Sequence, residues 1–160
     1  MKKFALFAVV LTLSVAVGTL VAPHLLRAQQ QGQLGTAAEA KAMLGKAVAA
    51  VKADQTKALA MFNNGEGGFK DRDLYPFCFD SSNGTVAATP VKNLIGTDVR
   101  ALKDKTGKPF GEEFYRAAQK ETLTEVSYMF PRPGSDTTPV EKISFVTKVG
   151  DLGCGVGYYK

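Results

Sequence analysis

The sequence predicts an α+β domain whose helices are segregated to one side of an antiparallel sheet. A helical pattern comes first: Thr36 and Glu39 have the spacing of a capping box, and apolar residues then recur at helical intervals to about Phe62. A strand, a tight turn and a second strand follow directly over residues 73–90. Because the hairpin follows the helix and does not alternate with it, this order favours an antiparallel sheet over a βαβ nucleotide-binding fold.

The first predicted element is one amphipathic helix over residues 36–62. It would contain about 27 residues and measure roughly 40 Å, and Asn63, Asn64 and Gly65 supply its stop. This length exceeds what a small sheet needs. We therefore expect part of the helix to project from the domain or to pack on a second copy in a homodimer.

The hairpin has Leu74–Phe79 as its first strand and Thr85–Thr89 as its second, and Pro90 ends it. Between the strands, Asn83-Gly84 is a pair that tolerates positive φ, which predicts a two-residue turn.

The second half of the chain predicts a crossover and a three-strand meander. Two short helical pieces, Thr97–Lys103 and Glu112–Lys120, are separated by Gly107 and Pro109. Three extended segments then close the domain, at residues 123–130, 140–149 and 152–159. The sequence therefore predicts five strands, ordered along the chain as hairpin, helical crossover and meander.

Residues 1–28 have the pattern of a secretory signal peptide. Two of the first three residues are lysines, residues 4–22 contain no charged side chain, and Ala28 is the small residue at the cleavage point. We therefore expect a periplasmic or secreted protein. The apolar stretch also approaches the length of a membrane span, so an uncleaved N-terminal anchor is the alternative.

Cleavage would leave about 130 residues, a length that suits one domain. Residues 29–35 are rich in Gln and Gly and are expected to form a flexible N-terminus, followed by a single domain over residues 36–160. The net charge of +5 includes three basic residues of the predicted signal peptide, so the mature domain is only weakly basic. This weak charge and the predicted export argue against a nucleic-acid partner.

The residue types exclude several enzyme classes. The one histidine, His24, lies in the predicted signal peptide, and neither cysteine has a CxxC neighbour. The mature chain therefore has no Cys-His or Ser-His-Asp arrangement and no His- or Cys-rich metal site. The glycine-rich stretch 150–157 lacks the Lys-Ser/Thr ending of a phosphate loop, and its alternate glycines predict a bare backbone face for a close helix or ligand. We expect neither an enzyme nor a bound cofactor.

Cations and aromatic residues of the second half suit the binding of a small anion. Arginine presents a planar donor fork to a carboxylate, and tyrosine combines an apolar body with a polar tip. Each cation taken alone is also explained by a solvated surface position. The predicted ligand-binding residues are Arg100, Lys103, Phe114, Tyr115, Tyr128, Arg132 and Lys142.

Cys78 and Cys154 lie in the first and last predicted strands. In an exported protein two thiols can be oxidised to a disulfide, provided that these strands are neighbours with the side chains facing each other. The alternative is that both are small buried apolar residues. The residues alone leave both interpretations open.

From residue 37 to 159 the chain resembles a single Cache domain, the PAS-like extracytoplasmic sensor module of bacterial receptors. Several short segments carry the resemblance jointly: 74–80 with Asn83-Gly84, then 96–98, 103–107, 128–131, 142–145 and 155–159. Such domains often have tryptophan in the Tyr-x-aromatic-Pro segment, where this chain has Phe130, and the chain contains no Trp. The resemblance therefore does not supply the identity of a ligand.

The resemblance implies a five-stranded antiparallel sheet with the long helix on one face and the crossover arching over the other, above a ligand pocket. In that strand order the first and last strands are central neighbours, which would bring Cys78 and Cys154 together. Members bind small carboxylic acids, amino acids or amines, and they pass the signal on by shifting the two ends of the domain.

The expected function is that of a free periplasmic sensor, since the chain ends directly after its last predicted strand. Such a protein would hand a small-molecule signal, for chemotaxis or other signal transduction, to a separate membrane receptor such as a histidine kinase or chemoreceptor. The alternative is a structural or accessory partner of a receptor, with a vestigial pocket packed shut by Phe77, Phe79 and Phe114.

Overall fold

The computed structural model describes residues 34–134 and 137–160. The predicted signal peptide and residues 29–33 of the predicted flexible N-terminus lie outside the described residues. The helices are α1 (Ala37–Ala53), α2 (Gln55–Asn64) and α3 (Phe110–Ala117), and the strands are β1 (Pro76–Asp80), β2 (Val86–Ala88), β3 (Thr124–Pro131), β4 (Pro139–Val149) and β5 (Leu152–Tyr159). Two short 3₁₀ turns, Lys92–Leu94 and Val99–Ala101, lie in the crossover between β2 and α3.

The five strands form one antiparallel sheet in the order β2-β1-β5-β4-β3, which confirms the predicted α+β class. Each face of the sheet carries its own hydrophobic core. On one face, α1 and α2 pack against side chains such as Cys78, Phe145 and Val156. On the other face, the crossover and α3 pack against side chains such as Phe79 and Val146. The sheet therefore separates a helical side from a crossover side.

The predicted single helix over residues 36–62 is wrong in one respect, because the helix is broken at Asp54. The capping box at its start is present, with Glu39 N–H donating to Thr36 Oγ1 and Thr36 N–H to the Glu39 carboxylate. Asp54, however, has extended backbone angles, and its carboxylate accepts a hydrogen bond of 3.0 Å from Lys57 N–H as the N-cap of α2. Because α1 ends at Ala53, the long single helix that led us to expect packing on a second copy is not formed.

The predicted two-residue turn at Asn83-Gly84 is also wrong, although the hairpin is in the predicted place. Residues 81–84 form a longer loop, in which the Asp80 carboxylate accepts hydrogen bonds from Ser82 N–H and Asn83 N–H. Gly84 has φ 80° and Asn83 does not have positive φ, so the backbone is not that of a type I′ turn. The local carboxylate contacts of Asp80 favour the longer loop.

The crossover contains less helix than predicted. Residues 97–103 form only the 3₁₀ turn Val99–Ala101, because the Asp98 carboxylate caps Arg100 N–H at 2.9 Å and the chain becomes extended at Leu102. The second predicted piece, 112–120, is shifted toward the N-terminus as α3.

The two cysteines form a disulfide between the central strands of the sheet. Cys78 and Cys154 are directly opposite each other in β1 and β5, with their Cα atoms 4.1 Å apart, and both side chains are fully buried on the helical side. The bond thus joins the first and last strands of the domain across a sequence separation of 76 residues.

Asp104 ties the crossover to β3. Its Oδ1 accepts hydrogen bonds from Thr106 N–H, Thr106 Oγ1–H and Lys108 N–H, and its Oδ2 accepts one of 3.0 Å from Met129 N–H in β3. The Thr106 hydroxyl and the Met129 amide lead the interactions that lower the pKa of Asp104 to about 2. One carboxylate therefore both shapes the loop and fixes it to the sheet.

Replacing Asp104 by asparagine is expected to lower the melting temperature by several degrees. The NH2 group of the asparagine amide would face N–H or O–H groups that now donate to the Asp104 carboxylate. Because the folded-state pKa lies below the unfolded one, this contribution is present above about pH 4 and is lost as the pH falls toward 2. Thermal melts at pH 7 and pH 2.5 measure both effects. Asp151→Asn, in the exposed β4–β5 turn, is the matched control, and equal melting of the two variants would contradict the assignment.

Candidate ligand-binding site

A cavity of about 260 Å³ lies on the crossover side, between the sheet and the 3₁₀ turns. Its walls are mainly apolar, which is the usual character of a small-molecule site. The aromatic lining residues are Tyr75, Phe77, Phe110, Phe114, Tyr128 and Phe130; the aliphatic ones are Val86, Val91, Leu94, Val99 and Leu102; the remaining ones are Thr89, Asn93 and Lys103.

The aromatic rings support one another around this cavity. The ring of Phe110 stacks on Tyr128 with centroids 4.3 Å apart, and Phe77 stacks on Phe114 at 4.9 Å. Tyr128 is buried, and its hydroxyl lies 3.0 Å from Ser144 Oγ. Burial raises the pKa of Tyr128, so its phenol remains neutral at physiological pH.

Alternate glycines of β5 make room beneath these side chains. A Cβ on Gly155 would lie 2.5 Å from the Phe77 ring, and one on Gly157 would lie 2.6 Å from Lys142 Cε. A Cβ on Gly153 would meet the Cβ of Ala118, just after α3, at 2.2 Å. The bare backbone face predicted from the glycine pattern is thus occupied by a helix end and by two side chains at the site.

Lys142 places a buried ammonium group directly behind the cavity wall. Lys142 is 2 % exposed, and its cross-strand neighbours are Tyr128 on β3 and Tyr159 on β5. The Nζ atom lies 4.6 Å from the ring centre of Tyr159, 4.7 Å from that of Tyr75 and 5.5 Å from that of Phe130. Tyr75 and Phe130 also line the cavity, so the cation is one side chain away from its interior.

This ammonium group has few partners. Its one hydrogen bond within the described part of the chain is to Tyr75 Oη, at 3.4 Å, and no carboxylate there lies within ion-pair distance of it. Burial lowers the pKa of Lys142 to about 8, and the charge of Asp73 partly opposes this effect. Lys142 is therefore a cation with unused donors beside an aromatic cavity.

The predicted site residues do not all lie together. Lys103, Phe114 and Tyr128 line the cavity and Lys142 lies behind its wall. Arg132 lies in a neighbouring cleft, where its guanidinium group is 6.0 Å from the ring centre of Tyr159.

Arg100 and Tyr115 lie outside the cavity lining. The Arg100 guanidinium group pairs with Asp98 at 2.7 Å and lies over the Tyr115 ring at 5.0 Å. The hydroxyl of Tyr115 donates to the Ser82 carbonyl, in the β1–β2 loop. These two side chains therefore hold the crossover to that loop.

The predicted ligand-binding residues did not include four aromatic residues that line the cavity: Tyr75, Phe77, Phe110 and Phe130. An available indicator was the two-residue period of strands, because residues 75, 77 and 79 alternate with the apolar residues of the helical side. Phe130 follows Tyr128 by the same interval. Phe110 lies before the predicted helix and outside every predicted strand, so the strand period did not place it at the cavity.

The fold and the cavity define a PAS-like ligand-binding sensor domain: a five-stranded sheet, helices on one face, and an aromatic pocket beneath a crossover on the other. Among residues 34–134 and 137–160, no group of three His, Cys, Asp or Glu side chains is placed to hold a metal ion. No helix in these ranges has both the length and the apolar character of a membrane span.

The sequence matches the family model Single Cache domain 2 over residues 18–159, and the chain belongs to this family. Cache domains of this kind are non-enzymatic ligand-binding modules, so the chain is a sensor domain and not an enzyme. No curated protein is significantly similar to it in sequence.

Solved structures that share the fold include the following three. A methyl-accepting chemotaxis protein from Vibrio parahaemolyticus RIMD 2210633 is 21% identical with a TM-score of 0.60, over 85% of this chain and 91% of that chain. The periplasmic sensor domain of a chemotaxis protein is 25% identical with a TM-score of 0.58, over 85% and 93%. A Cache chemosensory domain, described for its recognition of carboxylic acids, is 23% identical with a TM-score of 0.56, over 85% and 96%.

Proposed function

We propose that this domain is a periplasmic sensor that binds a small carboxylate in the cavity and acts through a separate membrane receptor, either a histidine kinase or a chemoreceptor. The observation that carries the proposal is the buried ammonium group of Lys142, which has no carboxylate partner among the described residues. The similarity to periplasmic and chemotaxis sensor domains supports the location and the class of partner.

Burying a cation without a counter-ion in direct contact is unfavourable, because the charge loses its hydration. The aromatic faces of Tyr75, Phe130 and Tyr159 recover part of this loss through cation–π contacts. With the ring of Tyr75 or Phe130 displaced, a ligand carboxylate in the cavity would reach Nζ and recover much more through a charge-assisted hydrogen bond. The ligand-free site is thus arranged to favour an anion.

The cavity walls indicate the rest of the ligand. At about 260 Å³ the cavity accommodates a small metabolite, and its described lining residues include no acidic side chain. The rings of Phe77, Phe110 and Phe114 suit a short apolar tail. A short-chain monocarboxylate therefore fits better than an amine.

The open cavity favours ligand binding over an accessory protein with a vestigial pocket. Phe77 and Phe114 stand in the wall and leave the space between the crossover and the sheet open, while Phe79 belongs to the core beside it.

A thermal-shift assay tests this proposal. Short monocarboxylates such as propionate are expected to raise the melting temperature by several degrees at saturation, since a ligand selective for the folded state stabilises it. Propionamide has nearly the same shape without the charge and is expected to have no effect. A panel of millimolar monocarboxylates that leaves the melting temperature unchanged would overturn the proposal.

Carboxylate binding is expected to weaken with rising pH. Lys142 is mostly protonated at pH 7, so the dissociation constant should be nearly constant up to that pH and rise about tenfold per pH unit above 8. Without ligand, the free energy of unfolding should rise between pH 8 and 10, because the folded-state pKa of Lys142 lies below the unfolded one and the unfolded state then binds more protons. Calorimetric titrations and urea melts across pH 6–10 measure both, and a flat affinity profile would contradict the role of Lys142.

A further inference from the structure

The turn at residues 71–75 touches both the cavity and the segment that leads into α1. At one end of the turn, Arg72 donates to the Leu34 carbonyl at 3.4 Å and to the Glu39 carboxylate at 2.7 Å. At the other end, Tyr75 lines the cavity and accepts the hydrogen bond from Lys142. Residues 72–75 therefore connect the proposed carboxylate site to the N-terminal end of the domain.

The backbone of this turn is held in an unfavourable conformation. Arg72 has φ 56°, and it is the one non-glycine residue with positive φ in the described ranges. Such a conformation persists only where surrounding contacts enforce it. Here the enforcing contacts are the two backbone hydrogen bonds between Asp71 and Leu74, together with the hydrogen bonds of the guanidinium group to Asp71, to the segment before α1 and to its first turn.

Asp73, in the middle of the turn, is 3 % exposed and has one satisfied and one unsatisfied oxygen. Oδ1 accepts a hydrogen bond of 2.6 Å from Gly35 N–H, two residues before α1, while Oδ2 is buried and has no hydrogen-bond partner in the described structure. Asp73 therefore contacts the Gly35 amide directly and lies two residues from Tyr75, the hydrogen-bond partner of Lys142. The charge of Asp73 also raises the pKa of Lys142 and those of Tyr75 and Tyr159, whose rings surround that ammonium group.

We propose that Asp73 is a positioning residue that couples occupancy of the Lys142 site to the segment before α1. A carboxylate bound to Lys142 would neutralise the cation and place a like charge near Asp73, so that the Gly35 amide becomes the main stabilising partner of its carboxylate. Binding would thereby change how firmly the N-terminal segment is held. The link to sensing rests on the proposed carboxylate site, but the electrostatic coupling itself can be tested without a ligand.

The test follows the Gly35 backbone nitrogen by carbon-detected NMR while Lys142 is titrated. The Gly35 resonance of the wild-type domain is expected to shift in one step with a midpoint at about pH 8. Burial raises the pKa values of Tyr75, Tyr128 and Tyr159, so these phenols stay protonated in that range. The Arg132 guanidinium group also faces the Tyr159 ring, with its centre 6.0 Å from the ring centre.

Three variants assign the step to the proposed pair. Lys142→Met and Asp73→Asn should each abolish it, because the first removes the titrating cation and the second removes the charge while keeping an acceptor for Gly35. Glu121→Gln, which removes an exposed charge outside this turn, is the control and should leave the step in place. Absence of the step in the wild-type domain, or its persistence in either of the first two variants, would overturn the coupling.

Saturating propionate at pH 7 distinguishes this inference from the proposed function. Both deprotonation of Lys142 and a bound carboxylate neutralise the cation, so propionate should move the Gly35 resonance in the same direction as high pH. If propionate binds and Gly35 does not respond, the coupling to sensing is wrong. If the pH step is present and no monocarboxylate binds, the coupling stands and the proposed ligand class fails.

Discussion

Lys142→Met is expected to weaken carboxylate binding about 100-fold while leaving the domain folded. The loss corresponds to a charge-assisted hydrogen bond in a buried site, which contributes about 2–3 kcal/mol. Methionine has nearly the same length and no charge, so it fits between the rings of Tyr75 and Tyr159 and removes the desolvation cost of the cation. We therefore expect the ligand-free variant to be at least as stable as the wild-type domain.

Calorimetric titration of both proteins with the best-binding carboxylate, together with urea melts, measures this prediction. Lys103→Met is the matched control: Lys103 lines the cavity but is exposed, so its removal should weaken binding by less than about fivefold. Wild-type affinity in Lys142→Met would show that the buried ammonium group is not the anchor.

Removal of the disulfide is expected to have the largest effect on stability. The bond closes a loop of 76 residues, and the chain-entropy model assigns about 4 kcal/mol to a loop of this size. Both cysteines are fully buried under α1 and α2, so alanine replaces them without burying a new polar group. The double variant Cys78→Ala/Cys154→Ala should melt roughly 10–15 °C below the wild-type domain.

A reducing agent provides the control for this prediction. Under reducing conditions the melting temperature of the wild-type domain should fall toward that of the double variant, while the double variant itself should not respond. Equal melting of the two oxidised proteins would show that the bond contributes little to the folded state.

Patterns local in sequence predicted most of this fold. The capping box at Thr36 and Glu39, the glycine stop at residue 65 and all five strands follow from short-range periodicity and turn chemistry. The break at Asp54 was missed because a helical periodicity continues on both sides of it, and a single side-chain cap decides between one helix and two.

The candidate site was predicted less well, because residue type does not reveal which charges are already paired. Arg100 has its carboxylate partner two residues away, at Asp98, whereas Lys142 lacks one and is surrounded by rings from three different strands or loops. That difference depends on the strand register, which places Tyr128 and Tyr159 on either side of Lys142. The pairing of Cys78 with Cys154 likewise depended on the strand order, which the family resemblance supplied.

A crystal structure of the domain with its most stabilising monocarboxylate will show whether Lys142 anchors the ligand. We expect the ligand in the cavity, with the ring of Tyr75 or Phe130 displaced, a carboxylate oxygen about 2.8 Å from Lys142 Nζ and the tail against Phe110 and Phe114. A carboxylate bound elsewhere, for example beside Arg132, with Lys142 still bonded only to Tyr75, would contradict it.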